Sequence, residues 1–178
     1  LLLLKSLGFE YIISYKIRSG SKKAKEMVLD ESGYTQTSPE FKWKCCDFQT
    51  SIRVDGKTHE INDKLLITWS RKRELKDRKD RERIVEKSKR LVESKSQMKA
   101  EMKKGGKKYV QLTLLDDDRI VFNEKQLEID EQFDGYYGIQ YSDASLPHDE
   151  VLNAYHSLWK IEESFRVLKN NFEARPIY

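Results

Sequence analysis

Three residues in the last quarter of the chain have side chains of types that do chemistry together, at a regular interval: Tyr155, Glu162 and Lys169, an aromatic hydroxyl, an acid and a base. At about 100° per residue, a helix through this segment puts Tyr155, Leu158, Glu162, Phe165 and Lys169 within about 40° of Val151. The opposite side is already supplied with polar residues in His156, Lys160 and Glu163. Glu162 therefore stands where the pattern asks for an apolar side chain. A carboxylate in such a place needs a cation, a proton or a hydrogen-bond donor, and a divalent metal is one such partner. The plainer reading is also open: Glu162 pairs with Arg166 or Lys169 along the helix and decorates the edge of a core. Periodicity alone does not choose between them.

The helix that must hold these residues is well marked. Pro147 precedes a start at His148-Asp149-Glu150, whose acids suit the positive end of a helix dipole, and the apolar period runs to about Lys169. Arg175-Pro176 marks its end or a turn beyond it. At the other end of the chain, Leu1 to Leu7 reads as the last turns of a helix closed by Gly8. Phe9 to Ile17, rich in β-branched and aromatic residues, reads as a strand, and helix, glycine, strand is a unit of α/β folds.

Between Ser32 and Trp69 short alternating runs predict antiparallel strands, with Asp55-Gly56 as a hairpin turn and a last strand from Lys64 to Ser70. From Arg71 to Lys104 no Pro or Gly interrupts a dense mixture of charges, which predicts a long, solvated helix stopped by Gly105-Gly106. Strands are expected again at Tyr109 to Leu114, Arg119 to Phe122 and Phe133 to Tyr141.

Charge is unevenly placed. Residues 71–104 hold 15 Lys and Arg against 7 Asp and Glu, whereas residues 109–178 hold 6 against 14. A basic middle and an acidic end point to a polyanion contact beside a region able to hold cations. The basic helix has two readings, a phosphate-binding surface or a solvated helix laced with ion pairs. Trp69 beside it has two as well, a core residue or a platform for a flipped base. With 36% charged and 38% hydrophobic residues, the core is expected to be small for the length. Cys45 and Cys46 are adjacent, which fits neither an unstrained disulfide nor a zinc spacing, and His59, His148 and His156 are scattered. Both cysteines are expected to be reduced. Four leucines at the start are too few for a membrane span or a secretory core, and the missing initiator Met suggests a chain cut at its N-terminus.

The stretch Tyr155-His156-Ser157-Leu158-Trp159-Lys160-Ile161-Glu162-Glu163-Ser164-Phe165-Arg166-Val167-Leu168-Lys169 resembles the C-terminal signature of bacterial insertion-sequence transposases of the Asp-Asp-Glu type, Y-x2-R-x3-E-x6-K. Tyr155, Glu162 and Lys169 match three of its four positions, and Leu158 stands where Arg is usual. Asp134-Gly135 and Arg175-Pro176-Ile177-Tyr178 are similar to other segments of that group. The match is specific in its motifs over about the last forty-five residues, and elsewhere rests on layout.

The resemblance implies an α+β chain forming the C-terminal part of a ribonuclease-H-like fold. Residues 1–20 would end its core with the Phe9 to Ile17 strand, residues 21–142 would be a β-rich insertion containing the long basic helix at about 71–104, and residues 143–178 would carry the catalytic Glu helix. It implies that Glu162 is catalytic and ligates Mg2+ or Mn2+ in two-metal phosphoryl transfer. It assigns Tyr155 and Lys169 to DNA phosphates near the cleaved end, with Arg166 as a further phosphate ligand. Terminal-repeat and target DNA are the implied partners, a homodimer the implied assembly, and the bacterial cytoplasm the implied place, with no membrane contact. The two catalytic aspartates of such enzymes are expected before Leu1. Asp116-Asp117-Asp118 reads as a turn and Asp134 as a strand-end residue, so neither replaces them. The chain alone is then expected not to cut or join DNA. The rival from another class is a non-catalytic DNA-binding or protein-interaction module using the basic helix.

Overall fold

The computed structural model describes residues 1–93, 106–113 and 119–171. In chain order the elements are α1 (Leu2–Ser6), β1 (Ile12–Tyr15), a 3-10 turn (Ile17–Ser19), α2 (Lys22–Leu29), β2 (Thr35–Ser38), β3 (Phe41–Val54), β4 (Lys57–Ser70) and α3 (Arg71–Glu93). A second 3-10 turn (Gly106–Tyr109), β5 (Val110–Thr113), β6 (Arg119–Phe122), α4 (Glu124–Glu131), β7 (Tyr136–Tyr141) and α5 (His148–Asn171) follow. This is an α+β fold with a five-stranded antiparallel sheet of order β1-β7-β4-β3-β2 and a separate β5-β6 pair. Among the described residues no helix is long and apolar enough to cross a membrane.

The turn chemistry explains several boundaries. Asp55 and Gly56 have φ of +50° and +77°, so the β3–β4 hairpin closes on two left-handed residues whose twist matches that of the strands. Gly8, at φ +74°, closes α1: its N–H and that of Phe9 donate to the carbonyls of Lys5 and Leu4, satisfying two of the helix's free carbonyls. The strand expected over Phe9 to Ile17 is shorter, because the chain bends at Lys16 and Ile17 is buried in a 3-10 turn. The strand expected from Phe133 starts at Tyr136, since Asp134-Gly135 is a turn with Gly135 at φ +83°. Two helices escaped the sequence reading. In α2 the Ser21 hydroxyl caps the N–H of Ala24, and in α4 Asn123 caps that of Gln126. The expected helix segment 94–104, Asp116 to Asp118 and Arg175 to Tyr178 lie outside the described residues.

The chain divides into two compact units. The first comprises residues 1–15, 45–67 and 138–178. Its β1 runs antiparallel to β7, with Ile12 opposite Tyr141 and Tyr15 opposite Gly138. Phe48, Ile61, Leu65, Ile139 and Val151 are fully or almost fully buried there, each worth roughly 1.5–3 kcal/mol in transfer terms. Along β4 the alternate residues Ile61, Asp63, Leu65 and Ile67 are all buried, so a carboxylate occupies an interior position of the pleat.

The second unit comprises residues 16–44 and 68–137. In it α3 packs on the Gly106–Tyr109 turn and the β5–β6 pair. The Arg71 N–H donates to the Glu40 carbonyl and the Ser70 N–H to that of Gly135, tying the start of α3 to two loops. The helix is laced with local ion pairs, Arg71–Glu74, Arg78–Glu74, Arg73–Asp77, Arg83–Asp80 and Arg90–Glu86. Cys45 and Cys46 are free thiols.

Candidate functional site

The helix α5 is one continuous element from His148 to Asn171, so Tyr155, Glu162, Arg166 and Lys169 all lie on it. Its start is held by the Val151 N–H donating to the Pro147 carbonyl and by Asp149 and Glu150 in the first turn. The first turns pack against β1, and Val151 has no exposed surface. Tyr155, half-buried, lines a cleft of about 320 Å3 with Tyr11, Ile12, Leu146 and Leu158.

Beyond Tyr155 the helix emerges from its packing. Glu162 is exposed, and so are Leu158 at 43% and Phe165 at 59% on its side of the helix and Ile161 at 55% next to it. The amphipathic stripe read from the sequence therefore exists as a helix face, but no described residue covers its second half. Arg166 pairs with Glu163 one turn back rather than with Glu162. The side chain of Lys169 lies outside the described residues. Among the described residues no group of three or more His, Cys, Asp or Glu side chains is placed to share a metal ion.

Two clusters in the fold were not picked out from the sequence. In the first unit, Asp63 receives hydrogen bonds from the Tyr11 hydroxyl and the Gln140 amide, both at 2.6 Å. Lys5 Nζ lies 2.6 Å from the other carboxylate oxygen, close enough for an ion pair but off the direction of a hydrogen bond. Burial, then the hydrogen bond and charge of Asp63, push the Tyr11 hydroxyl well above the usual tyrosine range. The network is closed to solvent at Asp63 and holds α1 and β7 to β4, a structural role. Inward alternation of Ile61, Asp63, Leu65 and Ile67 along β4 is the sequence signal by which Asp63 could have been found.

In the second unit, Lys42 sits among the rings of Tyr34, Tyr136 and Trp69, with Nζ 4.7, 5.5 and 5.8 Å from their centroids, and pairs with Glu31. Burial works against the Lys42 charge, yet the Glu31 and Tyr136 contacts outweigh it and raise its pKa. Lys42, Trp69 and Tyr136 border a cleft of about 870 Å3 whose walls include Glu74, Arg78, Arg81 and Glu131. Trp69 is thus half-buried at a cleft rather than sealed in a core. Walls of both charges do not by themselves select a ligand class. Asp134, expected as a strand-end residue, is buried and bridges Arg18 and Arg81.

Compared with protein-family models, curated proteins and solved structures, the chain matches none.

Proposed function

We propose that this chain is part of a DNA transposase of the Asp-Asp-Glu type, with a ribonuclease-H-like core, and that Glu162 is one of its catalytic carboxylates. The observation that carries the reading is the Tyr155, Glu162, Lys169 interval, which lies on one unbroken helix with an apolar stripe left uncovered around the acid. Such a face suits a helix that completes its site against further polypeptide. Tyr155, at the edge of the 320 Å3 cleft, and Arg166, on the exposed side, would contact DNA phosphates, as would Lys169.

The metal requirement can be weighed on the donor set. Mg2+ demands octahedral oxygen ligation, and Glu162 offers two oxygens. The carboxylates of α5 do not make up the rest, because Glu163 is engaged by Arg166 and Asp149 and Glu150 lie about three turns away. Mg2+ or Mn2+ would supply activation of the attacking oxygen and stabilisation of the leaving one, but only with carboxylates beyond those of this helix. The 178 residues alone are therefore proposed to be inactive in cleavage and joining. The test is Glu162→Gln in the natural reading frame that encodes this chain, read as excision of the element: loss supports the proposal, and undiminished excision removes it.

A second reading is favoured by the exposure of Glu162, which needs no partner in water. In it the chain is a non-catalytic interaction module and Glu162 is a surface carboxylate.

A further inference from the structure

The charges of α3 are sorted by direction. With Arg71 at zero and about 100° per residue, Lys72, Lys76, Lys79, Arg83, Lys87 and Arg90 fall between about 80° and 160°, and no other residue of the helix does. All six are exposed. They recur every three or four residues, one cation per turn over about 27 Å of helix. The two acids nearest the packed side, Glu74 and Asp77, are occupied by Arg71, Arg78, Arg73 and Arg18. Asp80 and Glu86 flank the row and reach Arg83 and Arg90 at 3.6 and 3.9 Å, long, exposed contacts that hold weakly. Lys72, Lys76, Lys79 and Lys87 have no ion-pair partner among the described residues.

We propose that this outward row of α3 is a binding surface for the phosphate backbone of duplex DNA. The exposed acids Asp80, Glu82 and Glu86 stand to either side of this arc rather than within it, so its centre is an unbroken line of cations. About 27 Å of duplex presents roughly sixteen phosphates, more than enough to engage all six cations of the row at once. The row contains four Lys, two Arg and no Asn or Gln, and the opposite side of the helix is engaged by the Gly106–Tyr109 turn and β5–β6. Four of the six are Lys, flexible point charges that suit phosphate oxygens, so the contact assigned to the row is with the backbone and its affinity is expected not to depend on sequence. A bilayer is the poorer partner: the row holds no apolar residue, and Ile84 and Val85 are half-buried within the second unit rather than available for insertion. The surface is separate from Glu162 and does not depend on α5 being catalytic.

The experiment is fluorescence anisotropy of the whole chain with a labelled duplex of about 25 base pairs, across a salt series. Substituting Lys72, Lys76, Lys79 and Lys87 together by Gln should weaken binding at least tenfold at low salt and lower the salt slope by roughly 3–4, at about 0.9 for each phosphate that is no longer neutralised. The same four changed to Arg should restore it. A control with Lys16, Lys22, Lys23 and Lys57 changed to Gln removes the same charge elsewhere and should alter affinity less than twofold. Circular dichroism confirms that each variant keeps its helix. Equal loss in the control, no salt-dependent binding by the unmodified chain, or binding to vesicles rich in anionic lipid in preference to the duplex would each overturn the proposal.

Discussion

The Tyr11 hydroxyl donates a 2.6 Å hydrogen bond to Asp63, whose side chain has no exposed surface. Removing the donor leaves a buried carboxylate short of a partner, so Tyr11→Phe should cost about 1–2 kcal/mol. Asp63→Ala strands the Tyr11 hydroxyl and the Gln140 amide and releases Lys5, and should cost about 3–4 kcal/mol. Urea unfolding measures both. A loss of less than about 0.5 kcal/mol for Asp63→Ala would show that the network does not hold the first unit together.

Three hydroxyls share a second expectation. Burial is the largest cause that raises the pKa of Tyr11, Tyr109 and Tyr141, followed by hydrogen bonds to Asp63, Asp130 and Cys45 respectively. A raised folded-state value means that the stabilisation is complete below the unfolded value near 10 and is lost as pH climbs towards the folded values. The chain should therefore lose stability above about pH 10. In a spectrophotometric titration at least these three of the nine tyrosines should stay protonated until unfolding. Reversible ionisation of all nine near pH 10 with the fold intact would contradict this.

Gly135 tests the backbone of the second unit. At φ +83° a Cβ there would sit 2.6 Å from Trp69 Nε1 and 3.0 Å from Glu74 Cβ, so Gly135→Ala is strained both in conformation and in space. A destabilisation of about 2–4 kcal/mol is expected, with a shift in tryptophan emission as Trp69 is displaced. An unchanged melting temperature would mean that the turn yields to the methyl group without strain.

The last helix, the Asp55-Gly56 hairpin and the Gly8 helix stop were legible in the sequence because each rests on a local rule, such as periodicity or a residue that tolerates positive φ. The helices α2 and α4 were not, since eight residues each give barely two turns of period and their caps, Ser21 and Asn123, look like loop residues. The partners of Asp63, Lys42 and Asp134 lie up to 116 residues away, and no local pattern encodes them. The stripe around Glu162 was legible as a face, but what meets that face is not local information. For α3 the sequence showed excess charge, while the direction of its packed side was needed to show that the strip facing directly outward is free of acids.

On the proposed reading the purified 178-residue chain should neither cleave nor join DNA in Mg2+ or Mn2+, because Glu162 by itself does not hold two hard cations. A strand-transfer assay with labelled terminal DNA of the element measures this. Turnover by the chain alone would contradict it and would place the remaining metal ligands within these residues.

The role of Glu162 is tested most directly by a matched pair of substitutions in the natural reading frame, Glu162→Gln and Glu163→Gln, read as metal-dependent excision. Both acids lie on the emerging half of α5 and each variant removes one charge. The account predicts a fall of at least about a thousandfold, roughly 4 kcal/mol of barrier, for Glu162→Gln and less than about tenfold for Glu163→Gln. Equal activity of the two variants would show that Glu162 is a surface carboxylate and would contradict the account.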